Sequence, residues 1–457
     1  MFKLINDCRF AALGILLALS LSHAASAQQQ FRGVNLVGME MDYAAYSQTN
    51  GPVAGTNYPV FDTRLIDYFV SKKVGAIRLL FSWEAMQPHL YDPIPNAAAN
   101  TNYQAYFNNY KRVIDYATGK GLQVIIEPWD ADSSGGAGGG RWRGNVIGST
   151  QVPIAAFADF WNKMAAVYKN NALVSYGLIN EPNNQSTTTW FQAAQAAITA
   201  IRSTGSTQRI FVPGNGWTGA SDWTNNWYDT DRKQISNADG WLNANGTGKP
   251  LSDPLNNMAI EVHTFVDPEG SGGSTAIVSV TVARERIATT LNWATAHGIQ
   301  VYLGQIGMYA GFQGNGFTAA AAWANFISYF NANPNSFLGY TWWAAGDPAW
   351  WPDPGAWHFS VSPTSRTTYT GDTVNMQMIQ GDFNSNVAPP PVKYTLTVGV
   401  TGTGSVSETA TNPPATPAQI ANCTASNGTC SGNYASGTSV TLSATAGTGY
   451  VFAGWSG

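Results

Sequence analysis

From Phe31 onward, short apolar runs alternate with longer stretches whose apolar residues recur three and four positions apart, the pattern of strands followed by amphipathic helices. The runs are FRGVNLVG, GAIRLLF, GLQVIIEP, VSYGLIN, RIFVPGN, MAIEVHT, GIQVYLG and LGYTWWAAG. Between them RLIDYFVSKK, YQAYFNNYKRVIDYATGK, IAAFADFWNKMAAVYKN, TWFQAAQAAITAIRS, SVTVARERIATTLNWATAHG and AAAAWANFISYFNAN read as outer helices, most of them ending near Gly or Asn. Eight strands of this kind predict an α/β fold, a (β/α)8 TIM barrel. The stretch ADSSGGAGGGRWRGNVIGS after the third strand is too rich in Gly for a regular element and predicts a loop at the rim where such barrels bind substrate.

The pattern changes at both ends. Residues 386–392 form a Pro-rich linker, and beyond it residues 393–457 alternate Thr, Val and Ser with Gly, which predicts a small all-β module. At the other end Lys3 and Arg9 flank an apolar run from Phe10 to Leu21, and Ala25-Ser26-Ala27 follows it. Residues 1–27 therefore read as a signal peptide cleaved before Gln28, leaving the barrel on residues 28–385. No other segment reaches the ~18 apolar residues a membrane span needs. A secreted bacterial protein is expected, free of the membrane after cleavage and monomeric. Cys8 leaves with the signal, whereas Cys423 and Cys430 sit close together in an exported chain and are expected to form a disulfide.

Composition narrows the partners. Charged residues make up 11% of the 457 residues and the net charge is -4, so there is no basic surface to hold nucleic acid. The 17 Trp and 20 Tyr provide more ring surface than a core of this size needs, and flat rings suit the apolar faces of sugars, although core packing accounts for most of them individually. The Gly-rich run at 135–140 lacks the Gly-Lys-Ser/Thr ending of a phosphate loop, and no cofactor is implied.

Cleaving a glycosidic bond takes one carboxylic acid to protonate the leaving oxygen and a second carboxylate to attack the sugar or activate water. GLINEPN ends the fourth strand with Asn180 and Glu181 at the rim, and Pro182 stops the ladder. With this motif, residues 31–360 resemble glycoside hydrolase family 5, the retaining β-glycanases, and within it an endoglucanase-like subgroup. The C-terminal segment resembles the internalin B-type bacterial repeat. The family resemblance implies that Glu181 is the general acid/base, that Asn180 holds the sugar 2-hydroxyl and that Arg78 orients the nucleophile. It further implies that His263 is the histidine after strand six and that Trp343 stacks under the sugar, with Trp342 pointing the opposite way. The implied substrate is a polysaccharide, β-1,4-glucan.

Three positions depart from that family pattern. The strand-seven glutamate is replaced by Gln305, the tyrosine two residues after the strand-six histidine by Phe265, and the histidine after strand three by Trp129. The family's tyrosine hydroxyl donates to the nucleophile, so its loss beside an amide is coherent, and natural divergence explains the set better than a single laboratory change. An amide is a poor nucleophile and closes the covalent route. An inverting route would need another carboxylate, for which Glu127, Asp130, Asp132 and Glu269 stand at or beyond the ends of strands three and six. Two functions follow: an endo-β-1,4-glucanase-type hydrolase with its nucleophile replaced, or a non-catalytic glucan-binding barrel. A purely adhesive protein would leave the rim unexplained.

Overall fold

The computed structural model describes residues 12–16, 30–40, 45–96, 98–129, 139–226, 230, 234–244, 248–348, 358–385, 393–412, 419–435 and 439–456. The expected cleavage site, the Pro-rich linker, Asp130 and Asp132 lie outside these residues. Contacts divide the chain into two units, residues 27–388 and residues 1–26 together with 389–457.

In the larger unit eight parallel strands close a barrel in chain order. They are β1 (Phe31–Val37), β2 (Ala76–Ser82), β3 (Gln123–Trp129), β4 (Val174–Gly177), β5 (Ile210–Pro213), β6 (Met258–Phe265), β7 (Val301–Gly307) and β8 (Phe337–Gly346). Each overlaps one of the apolar runs, because strands buried on both faces by helices carry near-continuous apolar sequence, but β2, β3, β6 and β7 run on past the ends of theirs, β7 by three residues to Gly307, and β8 begins one residue before its own. The fourth ends two residues before Ile179, where the apolar run stops. Leu178 N still donates to Phe211 O, but Asn180 N turns to Pro128 O on the other side. Helices cover Thr63–Ser71, Thr101–Gly119, Ile154–Tyr168, Thr187–Ser203, Val282–Ala296 and Ala319–Ala332, as the periodicity predicts. The pattern missed Trp83–Met86 and Asn237–Leu242, which are too short to show a period, and Val374–Phe383. The last mixes Met and Gln with the poorer helix formers Val374, Asn375, Gly381 and Asp382, and is held by its Thr373 cap and by Asn375 Nδ2 donating to Ser360 O.

The barrel interior is layered. Phe31, Ala76, Ile125, Phe211, Ala259, Tyr302 and Leu338 form an apolar plug; burying each large aliphatic or Phe side chain stabilises by about 1.5–3 kcal/mol. Two residues further along the strands the inward positions turn polar, at Arg78, Glu127 and Glu261. A third layer holds Val37, Leu80 and Ala344, with Trp129 and Trp343 packed against it. Among the described residues six other tryptophans serve the shell between barrel and helices: Trp83, Trp161, Trp190, Trp223, Trp241 and Trp342 are fully buried. Trp342 faces outward, its Nε1 donating to Phe359 O, while its neighbour Trp343 faces in.

The smaller unit pairs Lys393–Thr397 with Ser431–Ala435 and Gly404–Asn412 with Ser439–Ala446, both antiparallel. Val398, Val406, Ile420, Cys423 and Tyr434 form its core, and Cys423 is bonded to Cys430. Ala12–Leu16, inside the segment read as the signal's apolar run, pairs parallel with Val451–Ser456. No helix among the described residues is long and apolar enough to cross a membrane.

Candidate active site

Arg78 is fully buried inside β2 rather than paired at a surface. Its Nε and Nη2 donate to Glu127 Oε2 and Oε1 at 2.8 and 2.5 Å. Nη1 donates to Asn35 Oδ1 and Nη2 to Asn180 Oδ1, both at 2.8 Å, and Nε lies 3.1 Å from Glu261 Oε1. Such planar two-point recognition is what a guanidinium offers and an ammonium does not. Two strand glycines make room for the two carboxylates. A Cβ on Gly177 would stand 2.1 Å from Glu127 Oε2, and one on Gly304 would stand 2.0 Å from Glu261 Oε1. Burial pushes the Glu127 carboxyl up while Arg78 opposes it. With both oxygens bound to Arg78 and no exposure, Glu127 cannot activate a water, which removes it from the acids considered for an inverting route. Glu269 is exposed.

Glu181 sits at the rim with φ +45, a left-handed backbone that non-glycine residues rarely adopt and that must be held from outside. Three segments hold this turn: Pro128 O accepts from Asn180 N, Gly139 N donates to Glu181 O, and Trp217 N donates to Pro182 O. Ser186 then caps the next helix by accepting from Thr189 N. Glu181 Oε1 lies 2.6 Å from His263 Nδ1, and His263 Nε2 lies 3.3 Å from Glu261 Oε1.

Gln305 reaches this group through a bulge. The pairing of β7 with β6 shifts between Leu303 and Gln305, which sets Gln305 beside His263. It is 3% exposed. In one amide orientation Nε2 donates to Asn180 Oδ1 at 3.1 Å. In the other, Nε2 donates to Glu181 Oε1 at 3.2 Å, and Oε1 accepts from Arg78 Nη1 at 3.3 Å while facing Asn180 Oδ1 at 3.1 Å. Arg78, Asn180, Glu181, His263 and Gln305 thus form one connected group. Phe265 stacks on Phe359 at 6.0 Å and is not part of that network, and Trp129 and Trp343 belong to the aromatic layer above it.

Three rim or interior residues escaped the sequence reading. Glu261 could have been found from Gly304, since a glycine inside a strand marks a close approach. Trp217 is 48% exposed beside the Glu181 turn, on two successive left-handed residues, with Thr218 Oγ1 donating to Glu261 O at 2.6 Å. The Gly-Asn-Gly before it marks the turn. Glu40 follows β1; its carboxylate accepts from Gly38 N at 2.8 Å, and burial pushes it up to about 7. A carboxyl raised in the folded state from 4.5 to about 7 contributes stability that is full below pH 4.5 and is lost as pH climbs through about 7. Melting temperatures across that window are expected to fall with pH, and Glu40→Gln is expected to flatten that part of the slope; an unchanged slope would remove Glu40 as its source.

Comparison with known proteins places these features in company. The model of the cellulase family, glycosyl hydrolase family 5, matches residues 27–346, and that of the divergent InlB B-repeat domain matches residues 416–457. The chain is 30% identical over 354 residues to endo-beta-1,4-glucanase B of Aspergillus niger, covering 78% of this chain and 93% of that protein. It is 31% identical over 338 residues to endo-beta-1,4-glucanase A of Emericella nidulans, covering 74% and 88%. Among solved structures, the endo-beta-1,4-glucanase Xac0029 from Xanthomonas axonopodis pv. citri superposes with a TM-score of 0.64 at 30% identity, covering 78% of this chain and 98% of that one. XacCel5A in complex with cellopentaose gives 0.64 at 29% identity, covering 77% and 99%.

Proposed function

The chain belongs to the cellulase family, glycosyl hydrolase family 5, and we propose that it is a secreted endo-β-1,4-glucanase-type barrel that holds β-1,4-glucan across its rim and cleaves it slowly. Glu181 is the general acid, Gln305 occupies the nucleophile position, and Arg78, Asn180 and His263 orient the two. Trp129, Trp217 and Trp343 offer their rings to sugar faces. The observation that carries this reading is the contact of Gln305 with Glu181 and Arg78. Its side chain stands within hydrogen-bond reach of the acid, with the arginine on its far end, but its oxygen carries no charge with which to attack a sugar. The relatives named as endo-beta-1,4-glucanases support the substrate class, and the leader-like first residues support export.

The same contact favours the second reading, a barrel that binds glucan without cutting it. In the orientation that donates Nε2–H to Glu181 Oε1 the amide occupies the acid and brings no charged oxygen to the sugar. Reducing-end release from carboxymethyl cellulose and mixed-linkage β-glucan, run beside affinity gels containing the same polymers, separates the two. Slow release abolished by Glu181→Gln supports the hydrolase, while retardation in the gel without release supports the binder. Failure on both counts sinks the glucan reading. Trp343→Ala is expected to weaken binding by about 2 kcal/mol, or about 30-fold, as removal of a central aromatic anchor does. Isothermal titration with cellopentaose checks this, and unchanged affinity would place the sugar elsewhere.

A further inference from the structure

His263 is enclosed between two carboxylates. Its Nδ1 faces Glu181 Oε1 at 2.6 Å and its Nε2 faces Glu261 Oε1 at 3.3 Å. A neutral imidazole has one N–H and one lone pair. Arg78 Nε lies 3.1 Å from Glu261 Oε1, which favours that oxygen as an acceptor over a hydroxyl donating to Nε2. Two arrangements then avoid turning a lone pair on a carboxylate: an imidazolium donating to both, or a neutral ring donating from Nε2 to Glu261 while a protonated Glu181 donates to Nδ1. Both leave Nε2–H on the Glu261 side and one proton in the contact between Nδ1 and Glu181. Burial opposes a charge on His263, but the hydrogen bonds to Glu181 and Glu261 outweigh it and lift the imidazole above its ordinary value.

Glu261 is unusual on its own account. It is fully buried, its Oε1 is shared between Arg78 Nε and His263 Nε2, and its Oε2 has no hydrogen-bond partner among the described residues. The chain gives up a side chain at Gly304 to admit it. Arg78 already binds Glu127 at two points, so it does not neutralise Glu261 alone, and a buried carboxylate in this position draws a second cation.

We propose that Glu261 is a positioning residue: it fixes the His263 tautomer by accepting from Nε2–H and so keeps a proton between His263 Nδ1 and Glu181 Oε1, ready for the leaving-group oxygen. The last clause rests on the reading of Glu181 as the acid. Glu261 touches no substrate and acts through His263. Its charge acts on the imidazole, where the hydrogen bond at Nε2 favours the protonated ring. The groups facing His263 are Arg78 from β2, Glu127 from β3, Glu181 from the turn after β4, Glu261 from its own strand, and the neutral Gln305 from β7. The loop after β5 contributes backbone alone, Thr218 O accepting from His263 N and Ala220 N donating to His263 O.

Nitrogen-15 labelling of histidine in the full chain tests this without relying on catalysis. The chain has five histidines, and His263 is assigned by its loss in His263→Asn. In the unmodified protein Nε2 is expected to stay protonated, and the proton in the Nδ1 contact to persist above pH ~6.5, the ordinary histidine value. Glu261→Gln is expected to lower that titration by about one unit or more, and Glu261→Asp, which keeps the charge, to retain most of it. A neutral His263 with its proton on Nδ1 would overturn the proposal. So would a Glu261→Gln protein with a lower melting temperature but an unshifted His263 titration, since that is what a merely structural residue gives. In the Gln305→Glu background, the alkaline limb of the kcat profile is expected to move down with the His263 titration. No cleavage at all in that background would overturn the glucanase reading and leave the nitrogen-15 result to decide the role of Glu261.

Discussion

Gln305→Glu is expected to raise kcat on soluble β-1,4-glucan by about 10³-fold or more, the order of effect seen when a member of a catalytic pair is lost or restored. The new carboxylate would stand where the amide already meets Arg78 Nη1 and lies near Glu181. It would supply the attacking oxygen and, by its charge, raise the proton affinity of Glu181. The gain is limited by Phe265, whose ring stacks on Phe359 and offers no hydroxyl to the new carboxylate. Phe265→Tyr added to Gln305→Glu is therefore expected to give about a further tenfold, the value of one hydrogen bond to a charged group. Initial rates of reducing-end release for the three proteins check this. Were Gln305→Glu to leave the rate unchanged, the cleft would have diverged beyond recovery at this position.

Glu181→Gln in the Gln305→Glu protein is expected to lower kcat by about 10²- to 10⁴-fold, the range for a positioned general acid. Affinity for cellopentaose is expected to hold, because Asn180 and the aromatic layer are not altered. The loss is expected to be smaller on aryl glucosides with acidic leaving groups, which need no proton. An equal loss on both substrates would mean that Glu181 shapes the site without giving up a proton.

The barrel was legible because its strands are buried on both faces and spell themselves as continuous apolar runs, while the helices carry one apolar stripe each. What stayed hidden is what depends on contact between strands. Glu127 looked like a free rim acid in IEPWD, yet the structure gives both its oxygens to Arg78. No local pattern announces a pair formed across strands. Glu261 sits in MAIEVHT as one polar residue among apolar ones, and only the missing side chain at Gly304 on the next strand hints at its place. Gln305 faces its group because a bulge interrupts the alternation of β7, and a strict two-residue period would not have set it there. Six of the described tryptophans went fully buried to the shell around the barrel, since an indole can fill a wide gap and still satisfy its N–H, as Trp161 does on Leu178 O and Trp190 on Pro213 O.

The central claim is that the cleft retains its acid and its grip on β-1,4-glucan while the amide at position 305 withholds the attack. The measurement that tests it most directly is turnover of cellopentaose by the unmodified chain at saturating substrate, with binding followed in the same samples by titration calorimetry. Binding accompanied by a kcat far below ~1 s⁻¹, the lower end of ordinary enzymes, is the predicted result. A kcat within the ordinary range would contradict it and show that another group in this barrel carries out the attack.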